Sequence, residues 1–251
     1  MYDAFKLDDK VAIVTGSGEG VGFEMARALR DSGTRVVLAE LDPDLAAAAG
    51  EELGVDYVAL DVTDSSAVEA AFRDIAEKNG GLDIVVNNAG TVLNVAAEDE
   101  TDEGWRTVMN VNLDGVFWCC RAAGRIKLPQ RRGSIINTAS ISSQVANHPQ
   151  KQASYNTSKA GGVTLTKCLA AEWADHGVRV NCISPGYTGT PLLKVVEERN
   201  PVWYQTWIDG IPLGRVAEPR EMAPAVVFLA SNAASYVTGS NLIVDGGYAL
   251  Y

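Results

Sequence analysis

Short runs of consecutive apolar residues alternate along the chain with longer segments in which apolar residues recur at helical spacing. Such runs are typical of parallel strands that helices cover on both faces. The runs predict strands at Val11–Thr15, Arg35–Glu40, Tyr57–Leu60, Ile84–Asn87, Ser134–Asn137, Arg179–Ile183 and Leu242–Val244. The helical pattern predicts helices at Val21–Asp31, Asp44–Glu52, Ser65–Lys78, Thr101–Lys127, Ser154–His176 and Pro219–Ala230. We therefore expect an α/β fold: a single doubly wound domain over residues 1–251, with about seven parallel strands.

Two candidate helix N-caps and one long segment without a clear strand add detail to this pattern. Asp64 and Thr101 precede two predicted helices and are suitable N-caps, because their side-chain oxygens can accept from free backbone N–H groups. The segment at about 184–213, rich in proline and aromatic residues, contains no clear strand. Long excursions in compact domains are often functional, so we expect a substrate loop or lid there.

Composition narrows the class of partner. The 251 residues carry a formal net charge of −11, with 47% hydrophobic and 21% charged residues. Binding to nucleic acid or to an anionic membrane needs clustered Lys and Arg, so the charge argues against both partners. A small-molecule substrate is the expected partner.

Cysteines, histidines and the N-terminus point to a cytoplasmic protein without a metal site. The four cysteines lack CxxC spacing, and the two histidines have no partner at ligand spacing. We expect reduced core thiols and no metal. The first residues contain no apolar signal core, and no apolar run reaches membrane-spanning length.

A glycine-rich loop follows the first predicted strand. It reads Thr15-Gly16-Ser17-Gly18-Glu19-Gly20-Val21-Gly22 and opens a predicted helix. Glycines allow a tight turn and close approach to a pyrophosphate, whose charge the helix N-terminus attracts. The spacing departs from GxGxxG, because Val21 stands at the third glycine position, and it fits TGxxxGxG instead.

Further motifs follow other predicted strands, where open α/β sheets bind ligands. Asp61-Val62 follows the third strand, Asn87-Asn88-Ala89-Gly90 follows the fourth and Pro185-Gly186 follows the sixth. In this order they resemble the short-chain dehydrogenase/reductase family, and the resemblance covers nearly the whole chain. It implies a Rossmann-type fold and a nicotinamide-dinucleotide site at Gly16, Ser17, Gly18, Glu19, Gly20, Val21, Gly22, Glu40, Leu41, Asp61, Val62, Asn88, Ala89, Gly90, Val111, Tyr155, Lys159, Pro185, Gly186, Thr188 and Thr190.

Two acidic residues favour NAD over NADP. Glu40 ends the second strand about 20 residues after the glycine loop, where an acidic side chain can accept from both ribose hydroxyls. Members of the family that use NADP often carry a basic residue where this chain has Glu19. A 2′-phosphate would meet like charge at both positions. The alternative is that Glu19 is merely solvated and Asp42 binds the ribose, which leaves the preference for NAD intact.

A YxxxK sequence supplies candidate catalytic groups. Tyr155 and Lys159 lie at i and i+4 of a predicted helix, so both side chains share one face. Oxidising an alcohol requires removal of its hydroxyl proton, and a neighbouring ammonium together with a cationic nicotinamide favours the phenolate that accepts it. Alone this spacing is common by chance; its position among the other motifs gives it weight.

The resemblance adds a serine and an asparagine to this pair. Ser140 stands where the family has its catalytic serine, and its hydroxyl would stabilise a developing alkoxide. The gap from Ser140 to Tyr155 looks about two residues longer than in many members, so Ser142 or Ser143 is a second candidate contact. Asn112 resembles the asparagine that holds a relay water, with Asn110 as competitor.

The likeness extends to the sugar-alcohol dehydrogenases of the family. The stretch after Ser140 is crowded with amides and hydroxyls, which suit a polyol, and Trp203, Tyr204 and Trp207 form an expected lid. The predicted substrate contacts are Ser140, Ser142, Gln150, Tyr155, Tyr187 and Trp203. Alternatively, the amides cap loops and the tryptophans line a pocket for apolar ketones or alicyclic alcohols.

These features predict an NAD-dependent oxidoreductase that interconverts a secondary alcohol and a ketone. One alternative is a reductase of apolar ketones or of acyl-carrier-bound 3-oxo esters, and another is a cofactor-binding protein without catalysis. The predicted helices Thr101–Lys127 and Ser154–His176 carry apolar residues on more than one face. We therefore expect a homotetramer, as in related enzymes.

Overall fold

The computed structural model, which describes residues 3–251, contains a sheet of seven strands whose neighbours are all parallel. The strands are β1 (Val11–Thr15), β2 (Arg35–Glu40), β3 (Asp56–Ala59), β4 (Ile84–Asn87), β5 (Gly133–Thr138), β6 (Val178–Pro185) and β7 (Asn241–Val244). Their order in space is β3-β2-β1-β4-β5-β6-β7. The order reverses between β1 and β4, which opens a crevice for ligands at the strand C-termini. The predicted doubly wound fold is confirmed.

Nine α-helices occur within residues 3–251. They are α1 (Gly20–Asp31), α2 (Pro43–Leu53), α3 (Ser65–Asn79), α4 (Asp102–Met109), α5 (Gly115–Gln130), α6 (Ala153–Trp173), α7 (Pro191–Arg199), α8 (Pro201–Gly210) and α9 (Ala223–Ala230). The predicted N-caps are confirmed: Asp64 accepts from Ser66 and Ala67, and Thr101 accepts from Gly104. None of the helices in this part of the chain is long and apolar enough to cross a membrane.

Two apolar cores lie on opposite faces of the sheet. In β1, Val11 and Ile13 face the core that α3, α5 and α6 cover, whereas Ala12 and Val14 face the core that α1, α2 and α9 cover. Alternate side chains of a strand point to opposite faces, so a strand between two helical layers must be apolar throughout. This explains the unbroken apolar runs of the sequence.

The predicted helix Thr101–Lys127 is interrupted. A π-helical turn at Asn110–Asp114 separates α4 from α5, and α5 continues to Gln130. The side chain of Asn112 in this turn bonds both the backbone N–H and the carbonyl of Thr91. Apolar periodicity does not reveal the turn, because these bonds join residues that are 21 apart in the sequence.

The excursion at 184–213 contains two helices that the sequence analysis missed, α7 and α8. Pro191 and Pro201 occupy their first turns, where the missing N–H costs nothing, and Thr190 caps α7 by accepting from Leu193. These start signals were present in the sequence. Two shorter differences concern helix ends: Ala174–His176 and Pro219–Met222 are 3₁₀ turns rather than α-helix.

Lys127 is a fully buried lysine on α5. Its Nζ donates to the carbonyl of Leu82 at 2.8 Å. Burial lowers the pKa of Lys127 to about 7, although the nearby Asp83 carboxylate opposes the shift. The folded protein therefore loses this proton near neutral pH, whereas the unfolded chain keeps it up to the ordinary lysine range near 10.5.

Lys127→Met is expected to weaken the pH dependence of stability. Above about pH 7 the unfolded chain binds a proton that the folded protein does not, so the free energy of unfolding rises with pH. The variant loses this rise, which amounts to about 1 kcal/mol between pH 7 and pH 8. Urea unfolding at both pH values measures it. The exposed Lys167→Met is the control and should keep the wild-type difference; an equal difference in Lys127→Met would contradict the assignment.

Candidate active site

The glycine loop between β1 and α1 leaves room for a ligand at the helix start. Gly16 has φ +60°, and a Cβ at Gly22 would lie 2.1 Å from the carbonyl oxygen of Gly16. A side chain would therefore break this turn. No side chain caps α1, whereas Asp42 caps α2. The free N–H groups at the start of α1 form a site suited to a pyrophosphate.

Ser17 and Gly18 hold this loop in shape rather than line the cleft. The buried Ser17 hydroxyl donates to the Val14 carbonyl and accepts from the Ala39 N–H. The Gly18 N–H donates to the carboxylate of Glu40. Of the predicted cofactor residues, these two therefore act within the loop itself.

Glu40 lies at the C-terminal end of β2 with its carboxylate in the cleft. One oxygen accepts from the Gly18 N–H at 3.0 Å and the other from the Leu41 N–H at 2.8 Å. Each carboxylate oxygen can accept a further bond, so both remain able to bind a hydroxyl. Asp42 accepts from Asp44 and Leu45 as the N-cap of α2. The geometry favours Glu40 over Asp42 as the ribose partner.

A cleft of about 620 Å³, which we call the cofactor cleft, runs over the C-terminal ends of β1–β4. It is lined by most of the predicted cofactor residues: Gly16, Glu19, Gly20, Val21, Gly22, Glu40, Leu41, Asp61, Val62, Asn88, Ala89, Gly90, Val111 and Thr190. It is also lined by Leu45, Leu60, Thr91, Thr107 and Pro191, which the sequence analysis missed. These residues belong to no motif, and only the folded chain brings them together.

An adjoining cleft of about 310 Å³, which we call the reaction cleft, contains the predicted catalytic groups. Ser140, Tyr155 and Lys159 line it, together with Pro185, Gly186 and Thr188 from the loop after β6. The two clefts share Val21, Asn88, Gly90, Thr91 and Thr190. A ligand that extends from Glu40 along the glycine loop would thus end beside Tyr155.

Tyr155 and Lys159 lie together at the start of α6. The Lys159 Nζ is 5.6 Å from the centre of the Tyr155 ring and donates to the Thr138 carbonyl at 2.9 Å. Burial lowers the pKa of Lys159 to about 8. Burial raises the pKa of Tyr155, and its hydrogen bond with Ser140 acts in the opposite direction. The Lys159 ammonium is a positive charge near the phenol, and such a charge favours the phenolate.

Ser140 combines a capping role with a place in the cleft. It follows β5, caps a short 3₁₀ turn by accepting from the Ser142 N–H, and hydrogen-bonds to Tyr155. The Ser142 hydroxyl lies 3.1 Å from that of Ser140 and also lines the cleft. The Ser143 hydroxyl donates to the Ser140 carbonyl and does not line the cleft. The geometry therefore favours Ser142 over Ser143 as the second contact.

The Asn112 side chain is buried below the site rather than in it. Its Oδ1 accepts from the Thr91 N–H, and its Nδ2 donates to the Thr91 carbonyl and to the Ser158 hydroxyl. Ser158 in turn donates to the Tyr155 carbonyl at 2.7 Å. Asn112 thus ties the π turn to α6, and its side chain lines neither cleft.

One wall of the reaction cleft is formed by the loop after β6 and by α8. Tyr187 and Trp207 stack with ring centres 4.5 Å apart, and both line the cleft, as does Gln150. Trp203, the tryptophan predicted to contact substrate, does not line it. Trp207 lies one helical turn further along α8 and takes the inward position. The sequence alone could not show which turn of an unpredicted helix lies against the cleft.

A network of side-chain amides adjoins this wall. Gln152 donates to Ser142, Asn147 and Asn156, and Asn147 donates to the Tyr187 hydroxyl. Asn147 and Gln152 line the cleft, as do Leu193 and Val196 from α7; none of the four was a predicted contact. Within residues 3–251 no three His, Cys, Asp or Glu side chains are grouped so that they could hold a metal ion.

Comparison with known proteins finds a matching family and relatives that align over nearly the whole chain. A model for a family of short-chain dehydrogenases, described as enoyl-(acyl carrier protein) reductase, matches residues 16–249. The chain is 45% identical over 250 residues to galactitol 2-dehydrogenase (L-tagatose-forming) of Cereibacter sphaeroides, covering 98% of each chain. Other relatives are D-threitol dehydrogenase of Mycolicibacterium smegmatis, which is 38% identical, and D-arabinitol 2-dehydrogenase (ribulose-forming) of Scheffersomyces stipitis, which is 37% identical.

Solved structures match over the full length. The crystal structure of gox2181 is 43% identical, with a TM-score of 0.98 over 100% of both chains. A gluconate 5-dehydrogenase from Burkholderia cenocepacia, solved with NADP and tartrate, is 33% identical, with a TM-score of 0.94 over 99% of this chain and 98% of the other. The Burkholderia protein is thus a relative that binds NADP.

Proposed function

Because the chain belongs to the short-chain dehydrogenase/reductase family, an enzyme family that interconverts secondary alcohols and ketones, we propose that its substrate is a sugar alcohol and its cofactor NAD. The observation that carries the proposal is a group of hydroxyl and amide side chains among the residues that line the reaction cleft. Ser140, Ser142, Asn147 and Gln152 place hydroxyls and amides beside Tyr155. The names of the relatives that act on galactitol, threitol and arabinitol support the same substrate class.

The residues of the cofactor cleft fit a nicotinamide dinucleotide. The uncapped start of α1 suits the pyrophosphate, and Glu40 suits the ribose hydroxyls. When bound, the cofactor supplies the acceptor for the hydride of the alcohol carbon. A 2′-phosphate near Glu40 and Glu19 would meet like charge, and this supports NAD, although the Burkholderia relative was solved with NADP.

Tyr155 is the proposed general acid and base. Its phenol lies in the reaction cleft against Ser140, so both can contact one substrate oxygen. During oxidation the phenolate takes the hydroxyl proton, and during reduction the phenol returns it. Lys159 orients the cofactor ribose and contributes positive charge. Asn112 holds the π turn, where its backbone would anchor a relay water.

The proposal also covers the oligomeric state of the enzyme and its place in the cell. A groove on α5 and α6 is lined by Phe117, Leu128, Leu169 and Trp173. We propose that this face packs against a second copy in a homotetramer. We place the enzyme in the cytoplasm, where the unpaired buried thiols of Cys119 and Cys120 would remain reduced.

Turnover of a substrate panel tests the proposal. NAD reduction is followed with galactitol, sorbitol, xylitol and arabinitol beside cyclohexanol and 2-alkanols. We expect the largest kcat/KM with a sugar alcohol, because a cleft lined with hydrogen-bonding groups leaves them unpaired around an apolar guest. Turnover confined to the apolar alcohols would end the proposal. Turnover of 3-oxoacyl esters alone would instead favour the alternative activity, a reductase of acyl-carrier-bound 3-oxo esters.

A further inference from the structure

Gln150 lines the reaction cleft, but the protein itself occupies both ends of its amide. The side-chain oxygen accepts from the indole N–H of Trp207 at 2.9 Å. The side-chain nitrogen donates to the hydroxyl of Tyr187 at 3.0 Å. The residue is only 5% exposed. These contacts differ from the predicted role of Gln150 as a direct substrate contact.

The three residues of this cluster come from three separate segments of the chain. Gln150 lies in the loop before α6, Tyr187 lies in the loop after β6, and Trp207 lies on α8 and is 4% exposed. The two rings stack at an angle of 11°. The Tyr248 ring packs edge-on against Tyr187 at 5.1 Å. One amide therefore joins α8 to the loops on which the reaction cleft is built.

We propose that Gln150 is a positioning residue, which latches α8 over the reaction cleft and holds the Tyr187–Trp207 pair as the wall against which the substrate binds. The proposal rests on the proposed function only in that this cleft receives the alcohol. An amide suits the position because it offers an acceptor to an indole N–H and a donor to a phenol oxygen at once. An apolar side chain of similar length leaves the buried N–H of Trp207 without a partner.

A set of variants tests the latch by separating binding from chemistry. Gln150→Met removes both hydrogen bonds, and Trp207→Phe removes the N–H while it keeps an aromatic ring against Tyr187. Each variant is expected to raise KM for the alcohol about tenfold, which corresponds to about 1.4 kcal/mol. We expect kcat and KM for the cofactor to change less than about threefold, because Tyr155, Ser140 and the cofactor cleft are untouched.

The double variant distinguishes a shared bond from two separate effects. If the hydrogen bond between the two residues carries the latch, Gln150→Met/Trp207→Phe should raise KM no more than the larger of the two single changes does. Gln205→Met on an exposed position of α8 and Trp105→Phe on α4 are the matched controls, with wild-type KM expected. Unchanged KM in both single variants, or multiplied effects in the double variant, would overturn the proposal.

Fluorine NMR of protein labelled with 5-fluorotryptophan adds a readout that does not depend on turnover. The Trp207 resonance is the one missing from Trp207→Phe, and it should shift in Gln150→Met; an unmoved resonance would contradict the latch. If Gln150→Met fails to fold, the KM of Trp207→Phe for the alcohol tests the latch by itself. Kinetics use whichever secondary alcohol the wild-type enzyme oxidises best. Failure of the polyol assignment would thus appear in the wild-type panel, whereas failure of the latch would appear in the ratio of variant to wild type.

Discussion

Tyr155→Phe is expected to lower kcat by at least about 100-fold while the affinity for the cofactor changes little. The variant removes the hydroxyl that exchanges a proton with the substrate oxygen, and it keeps the ring that packs in the cleft. Loss of positioned acid–base catalysis costs about 100- to 10,000-fold in rate. Turnover assays measure kcat, and titration of the protein fluorescence with cofactor measures the affinity separately.

The control for this variant is Tyr236→Phe, because Tyr236 is fully exposed and lies outside both clefts. It should retain wild-type kcat. If Tyr155→Phe kept more than about a tenth of wild-type kcat, the proton would have another route and the assignment of Tyr155 would be wrong. If cofactor binding were lost together with turnover, the residue would be needed to build the site rather than to catalyse.

Glu40→Ala is expected to reduce the preference for NAD over NADP by about 100-fold. We expect the wild-type kcat/KM to favour NAD, since the carboxylate can accept from both ribose hydroxyls and repels a 2′-phosphate. Hydrogen bonds to a charged group contribute about 1.5–3 kcal/mol, which is about tenfold or more for NAD alone. Removal of the charge repulsion also raises kcat/KM for NADP. The ratio of kcat/KM for the two cofactors, at one fixed ionic strength, gives the result.

Asp42→Asn is the matched control for the cofactor experiment. It removes a neighbouring negative charge and keeps the cap of α2, because asparagine is as good an N-cap as aspartate. Its cofactor preference should resemble that of the wild type. Equal or better turnover of the wild-type enzyme with NADP would contradict the assignment of Glu40, as would a larger effect of Asp42→Asn than of Glu40→Ala.

The sheet could be predicted because its signal is local. Strands covered on both faces are apolar throughout, and each of the seven observed strands lies within one or two residues of its predicted bounds. The N-caps at Asp64 and Thr101 are likewise local and are confirmed. The π turn at Asn110–Asp114 depends on bonds between Asn112 and Thr91, which are distant in sequence, so periodicity could not show it.

Among the site residues, too, those that belong to local motifs could be predicted and those that depend on tertiary packing could not. Glycine spacing and the YxxxK pair predicted residues that line the two clefts, because these motifs lie at strand ends that the fold brings together. The wall formed by Tyr187 and Trp207 depends on which turn of α8 lies against the cleft. Since α8 itself was not predicted, Trp203 was chosen where Trp207 is the residue in the cleft. The partners of Gln150 depend on the same packing.

One matched pair of substrates tests the central claim, oxidation of a polyol by this site, most directly. Threitol and butane-2,3-diol share a four-carbon chain and its secondary hydroxyls, and they differ in the terminal hydroxyls alone. The measurement is kcat/KM for each with NAD. A preference for threitol of about 100-fold or more is expected, because the hydroxyls and amides near Tyr155 can hydrogen-bond the terminal hydroxyls that the diol lacks. Equal values, or a preference for the diol, would contradict a site built to recognise sugar alcohols.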